Sequence, residues 1–359
     1  PAWAHKASDA FVSLTRDGDR VSGRIDVALR DLDLALGLDR DGDGAITWGE
    51  LRARRLELEA YELSRLRLSA GGIPCPLRPE GLEVDSHSDG NYAVLDVSGR
   101  CRSAAGRLRI EYGLLFDEDA LHRGIVRVAT PSGVAVAVFS PDATVQELDA
   151  DGSGRLRRFA SFVREGIHHI GSGADHVAFL LALLLPAVLV GGRPRWQPAT
   201  AFRPVLHEVL RLVTAFTAAH SLTLSLAALG FVHVPSRLVE SGIALSVLVS
   251  ALVNLWPSAP RLGAILAFGF GLVHGLGFAS ALSDLGSDAT TRLVTLVGFN
   301  LGVELGQLAI VALFLPFAFA LRRSAVYQRG LVGAGSLAVA GLASIWLAER
   351  VLGRVLLGF

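Results

Sequence analysis

The stretch "EGIHHIGSGADHVAFLLALLLPAVLVGG", residues 165–192, decides how the chain is read. His168, His169, Asp175 and His176 fall within its first twelve residues, and the remainder is almost unbroken hydrocarbon. Ionisable side chains are costly inside a bilayer, and those that persist there mark function by default. A membrane helix that opens on four such groups needs partners elsewhere in the chain.

Outward from that stretch the composition divides. The 359 residues are 51% hydrophobic, with 34 basic side chains balancing 34 acidic ones, so nothing in the charge points to a nucleic-acid partner. Up to about residue 160 the composition is that of a soluble protein. Beyond it come repeated apolar runs of roughly 20 residues, the length that crosses a hydrocarbon core. Six spans are expected, at about 168–190, 209–230, 238–256, 262–284, 293–320 and 327–348. Arg193, Arg195, Arg203 and Arg211 follow the first, Arg261 precedes the fourth, and Arg322, Arg323 and Arg329 lie between the last two. The alternate loops hold Arg237 and Arg292 beside Asp284 and Asp288. The positive-inside rule then places both termini outside. The chain opens on "PAWAHKASDA" and contains no methionine, which fits removal of a signal peptide and export of the N-terminal part. The expected location is a bacterial-type inner membrane, with the termini on the periplasmic side.

Within the spans, polar side chains recur at one depth. His168, His169, Ser172, Asp175 and His176 share an arc of roughly 120° if the first span is a single helix. His220 lies past the middle of the second span in "FTAAHSLTLSLAALG", and His274 past the middle of the fourth in "FGLVHGLGFAS". Asn300, Glu304 and Gln307 lie in the outer half of the fifth, in "GFNLGVELGQL". Gly298, Gly302 and Gly306 form a smooth ridge on that helix, opposite the polar stripe, so it should pack on both faces. One isolated membrane histidine is ordinarily a hydrogen-bonding core residue. Several at matched depth beside carboxylates point instead to a transition-metal site, since imidazole suits zinc, nickel, copper or iron. The ligand set read this way is His176, His220 and His274, with His169, Asp175 and Glu304 as further members. His168 reads as an outer-surface residue, and His207 and His233 as loop residues.

Residues 1–160 read as an exported β-rich domain. "FVSLTRDGDRVSGRIDVAL" is a hairpin turning at Arg16–Arg20, and "YAVLDVSG", "GRLRIEYGLLF", "HRGIVRVAT" and "GVAVAVFS" are further short strands. Their spacing suggests an antiparallel all-β sandwich. A helical insert at about 30–68 carries "DRDGDGAITWGE", which matches the calcium loop of an EF-hand without a gap. Asp39, Asp41 and Asp43 would supply oxygens, Ala45 its carbonyl, Thr47 its hydroxyl or a water, and Glu50 a bidentate carboxylate for Ca2+. A second run, "DADGSGRLRRFA" at 149–160, lacks the closing acid and reads as a polar linker. Cys75 and Cys101, the only cysteines, suggest one disulfide in an exported domain, two free thiols being the alternative.

The runs "EGIHHIGSGADHVAFLLALLLP", "FTAAHSLTLSLAALG", "FGLVHGLGFAS" and "FNLGVELGQL" resemble the HupE/UreJ family of hydrogenase and urease accessory membrane proteins. The whole chain is similar to the larger branch, which carries an exported N-terminal domain. That resemblance implies nickel or cobalt handling, with the histidines as metal ligands. The chain departs from smaller, permease-type members at "HGLGFA", where they tend to place a second histidine and a glutamate.

Three functions stay open at this level. A permease needs a polar route to the cytoplasm, for which only Thr214, Thr217 and the Ser246, Ser250, Asn254 ladder are available; interhelical bonding explains the ladder equally well. A zinc-dependent hydrolase open to the outer face would use three imidazoles to activate water, Asp175 or Glu304 as general base, and Ser172 or Ser221 at the oxyanion. The third function is an accessory subunit bracing other subunits of a membrane complex. The expected partners are the lipid bilayer and divalent metal ions.

Overall fold

The computed structural model describes residues 8–87, 90–102, 107–131, 133–148, 155–192, 195–256, 263–277 and 289–352. Of the sequence-based readings, the first half of the linker at 149–160, Arg193, Arg261, Asp284, Asp288 and the end of the fourth expected span lie outside the described residues. The chain divides into two compact units, one built on the soluble half and one on the apolar half.

The soluble unit is a sandwich. Its larger sheet has the order β5-β6-β2-β1-β8-β9, formed by β1 (Asp9–Asp17), β2 (Arg20–Ala28), β5 (Leu77–His87), β6 (Gly90–Arg100), β8 (Arg123–Thr130) and β9 (Gly133–Phe139). The smaller sheet runs β10-β7-β3-β4, from β3 (Leu66–Ala70), β4 (Ile73–Pro74), β7 (Leu108–Tyr112) and β10 (Val145–Leu148). The first hairpin turns where expected, with Gly18 at φ 60° and Asp17 opposite Arg20. Alternation then drives burial: Val12, Leu14, Ile25, Leu95 and Val126 from one sheet meet Leu68, Leu108 and Ile110 from the other in a single core.

The expected all-antiparallel pattern fails at one place. β1 pairs with β8 in parallel, Val12 opposite Val126. More than a hundred residues separate the two strands, so no hairpin dictates their direction. Cys75, just past β4, and Cys101, just past β6, form a disulfide that ties one sheet to the other.

The helical insert comprises α1 (Leu29–Leu36), α2 (Trp48–Ala53) and α3 (Arg55–Arg65). It brings a carboxyl group into the core. Glu62 is fully buried, neither of its oxygens has a hydrogen-bond partner, and burial pushes its pKa well above the ordinary range, with Asp26 and Glu59 adding to the rise. His122 is also fully buried, its two ring nitrogens bonded to the Ser8 and Tyr112 hydroxyls, and burial lowers it to about 3.

Past the sandwich the described helices are α4 (Arg155–Ser172), α5 (Ala174–Leu184), α6 (Phe202–Ala228), α7 (Ser236–Leu255), α8 (Ala264–His274), α9 (Ala289–Leu321) and α10 (Val332–Leu352), the last entered through a π-turn at Val326–Leu331; the apolar unit takes α4 from Phe162 and α9 from Leu296. Among the described residues four helices are long and apolar enough to cross a membrane, and a fifth span results if the α4–α5 pair counts as one. The expected first span is therefore corrected: it is not one straight helix but two, bent by 70° around Gly173. Its apolar tail turns back in a short hairpin, β11 (Leu189–Gly192) with β12 (Arg195–Pro198). Of the expected fourth span, the described residues include the 11-residue helix α8, about 16 Å long.

Glycines set the closest helix contacts. A methyl on Gly302 would strike the Val163 carbonyl, and one on Gly166 would strike that of Phe299, so α4 and α9 touch backbone to backbone. A methyl on Gly271 or Gly275 would likewise strike the carbonyls of Phe216 or His220, where α8 crosses α6.

Glu62 supplies a test of the soluble unit. A carboxyl whose folded pKa is raised leaves stability intact at acid pH and lowers it as pH climbs past its unfolded value of about 4.3. Glu62→Gln in the full chain is expected to raise the melting temperature at pH 8 and leave it near wild type at pH 4. An equal shift at both pH values would show that Glu62 is not the group that titrates.

Candidate metal centre

Four helices each contribute one imidazole to a buried cluster: His169 from α4, His176 from α5, His220 from α6 and His274 from α8. The ring centroids of His169 and His176 are 4.8 Å apart, those of His176 and His274 5.0 Å, and those of His176 and His220 6.1 Å. One ring nitrogen from each of His169, His176 and His220 lies within 4.8 Å of the others. The bend at Gly173 makes this possible, because His169 and His176 now approach from two helix axes. A methyl on Gly173 would come within 2.8 Å of the His169 carbonyl oxygen and 3.0 Å of His176 Nδ1.

The hydrogen bonds fix which nitrogens face inward. Asp175 Oδ1 lies 3.0 Å from His176 Nδ1, and a carboxylate accepts, so Nδ1 carries the proton and Nε2 the lone pair. The Ser246 hydroxyl donates to the Ile243 carbonyl at 2.7 Å. Its oxygen must then accept from His274 Nε2, 2.8 Å away, which leaves the lone pair on Nδ1. His176 Nε2 and His274 Nδ1 are buried without a hydrogen-bond partner, and His220 is buried beside Asn300, which bonds its ring. An unmade bond of this kind costs about 1–3 kcal/mol per group. Several lone pairs aimed into one dry space are what a cation requires. Phe179, Phe216 and Phe299 wall the cluster, with centroids 5.1–5.3 Å from neighbouring imidazoles.

The family model described as HupE / UreJ protein matches residues 145–350, more than half of the chain. The chain belongs to the HupE/UreJ family. No curated protein matches it. The matched segment contains all four imidazoles and leaves out nearly all of the β-sandwich.

Not every residue picked from the sequence joins the cluster of this HupE/UreJ protein. Asp175 contacts it through His176 and does not stand among the converging ligand atoms. Glu304 lies on the seam between α9 and α6, where its Oε1 accepts from the Thr214 hydroxyl at 3.1 Å. Thr214 precedes His220 by six residues, about 9 Å along α6. Gln307 makes the matching contact one turn on, accepting from Thr217 at 2.8 Å. Ser172 donates to the His168 carbonyl at 2.8 Å, and Ser221 is turned about 100° around α6 from its neighbour His220. Ser246 entered the sequence reading only as the first of three polar residues spaced every four positions; its imidazole partner, 28 residues away, carries no sequence signal.

In the soluble unit Asp39, Asp41 and Asp43 bring carboxylate oxygens within 4.8 Å of one another. Asp39 accepts from the Gly42 and Gly44 amides, and positive φ at both glycines makes the tight turn. Glu50 stands apart from that trio. Amides of Thr47 and Arg40, each at 2.9 Å, hold its carboxylate and lower its pKa to about 2. The Thr47 hydroxyl also donates to it, at 2.8 Å, and accepts from the Glu50 amide at 3.3 Å, which closes a capping box at the start of α2. The Ala45 amide donates to Asp43.

Ser246 is a positioning residue on this geometry. Ser246→Ala should weaken Ni2+ or Zn2+ affinity about 10- to 100-fold, the usual effect of losing a ligand's outer partner, with helix content unchanged. Equilibrium titration of the purified chain measures this, and wild-type affinity in the variant would remove Ser246 from that role.

Proposed function

We propose that the membrane unit captures a divalent transition-metal ion, of the nickel or cobalt class, from the periplasmic side and passes it across the bilayer. The ion is cargo, bound by His176 Nε2, His274 Nδ1 and His220, with His169 completing the set. One observation carries this reading: His169, His176 and His220, from three helices, each bring a ring nitrogen within 4.8 Å of the others, and the His274 ring centroid lies 5.0 Å from that of His176. Membership of the HupE/UreJ family supports it, as do membrane-length helices. Neutral imidazole is a borderline-soft donor suited to Ni, Co and Zn, and poor for Ca or Mg.

The hydrolase reading fares less well. Among the described residues the void beside His176, Phe216 and Gln307 is about 10 Å3, room for an ion or one water, and it touches none of the other three imidazoles. Asp175 is engaged in orienting His176 and Ser172 is bonded to His168, so neither is placed to act on a substrate.

A Ca2+ ion on Asp39, Asp41 and Asp43 is a separate part of the proposal, with a structural role. Ala45 and Thr47 would complete the shell, and Glu50 would swing from its capping contacts to ligate. The expected affinity is in the weak range of extracellular modules.

Purified full-length protein should bind one Ni2+ or Co2+ per chain, and His220→Ala and His274→Ala should each lower occupancy at least about tenfold, a loss near 1.4 kcal/mol. Metal content unaffected by either substitution would sink the centre as drawn. Proteoliposomes that bind the metal yet carry none under any gradient would remove transport and leave a metal-binding subunit.

Calcium should raise the melting temperature of the full chain, and Asp43→Asn combined with Glu50→Gln should abolish that rise. A rise that survives both substitutions places the ion elsewhere.

A further inference from the structure

A second cavity lies at the opposite end of the same helices. It has a volume of about 300 Å3 and is bounded by the end of α5, the start of α6, the end of α7 and the β11–β12 hairpin. Its walls are mostly apolar, but Glu208, Asn254 and Thr200 are among the residues that line it. Glu208 precedes His220 by twelve residues, about 18 Å along α6. The cavity is therefore on the far side of the unit from the imidazoles.

Two features join it to the metal centre. The small void under His176 and this cavity share one wall residue, Leu183. Leu183 is two turns below His176, about 10 Å along α5, and is buried with Phe179 and Phe216 in one cluster. The second feature is the polar ladder of α7. Ser246 holds His274, Ser250 donates to the Ser246 carbonyl at 2.7 Å, and Asn254 donates to the Ala182 carbonyl at 2.7 Å while lining the cavity. The first member of the ladder thus touches a ligand of the centre, and the last reaches the chamber. All three side chains are buried, so the ladder faces protein and not lipid.

We propose that this chamber is the exit station for the ion, and that Leu183 is the barrier between it and the imidazole centre. The inference rests on the transport reading above. An ion leaving the centre passes Leu183 between α5 and α6, the helices that line both the small void and the chamber. It is received by the Asn254 carboxamide and the Glu208 carboxylate, whose charge favours a cation at the chamber mouth. An acyl tail from the bilayer is the rival occupant of so apolar a space. An acyl tail would need neither the ladder nor Glu208.

The native cysteines are paired in a disulfide, so an introduced thiol is the only free one. Ala187→Cys places a thiol in the chamber wall, where a methanethiosulfonate reagent can plug it after folding. The full chain in proteoliposomes is assayed for Ni2+ uptake before and after labelling, and for Ni2+ bound per chain. Labelling should cut the initial uptake rate at least about tenfold while leaving bound Ni2+ unchanged. Leu183→Ala should raise the rate severalfold without a change in binding. Complete labelling with no loss of uptake overturns the exit station, and so does uptake in Leu183→Ala equal to wild type. Failure of the transport reading looks different: the unlabelled protein then carries no Ni2+ at all.

Discussion

Burying an imidazole lone pair without a partner is the constraint on which the membrane unit turns. Each of the second nitrogens that can be assigned is committed outward, to Asp175 for His176 and to Ser246 for His274. The first nitrogens have only one another to face, and aromatic rings exclude water. Such an arrangement disfavours the empty bundle and favours any cation that imidazole can ligate. The outer partners matter as much as the ligands, because they settle the tautomer and hold the ring plane.

Backbone proximity is what lets four helices reach one point. Small residues allow helices to approach closely in lipid, where no hydrophobic force draws them together. Gly302 and Gly166 seat α9 against α4, and Gly271 and Gly275 seat α8 against α6. Two of the four imidazoles follow directly from these crossings. His169 is one turn past Gly166, and His274 lies between Gly271 and Gly275. The glycine positions and the histidines are one device read at two levels.

That device was partly legible in the sequence. The ridge ending in Gly302 and Gly306 correctly opposed the Gln307 stripe, since helical period alone separates two faces. Ranking polar side chains by depth found His176, His220 and His274, because distance along a helix is fixed by residue count. Depth does not report direction around the axis, and there the reading failed. Glu304 shares the level of the polar groups but points at Thr214 on the α6 seam. The bend at Gly173 was invisible to a periodicity argument that assumed one helix through Ser172 and Gly173. In the soluble half, the hairpin turn and the cysteine pair were local signals and held. The parallel pairing of β1 with β8 was not local, and no short motif encodes it.

Charge bears on whether such a centre stores an ion or lets it go. Four neutral imidazoles bring no negative charge, and the nearest carboxylate, Asp175, acts through His176 and not on the ion itself. A divalent cation held this way keeps most of its charge in a medium of low dielectric, where Coulomb energies are large. Thiolate-rich structural sites neutralise their metal and retain it. An all-imidazole set with a single carboxylate one bond removed binds by lone pairs and leaves the ion uncompensated. It is better disposed toward a carboxylate farther along. On the proposed route Glu208 supplies one, with Leu183 between it and the imidazoles.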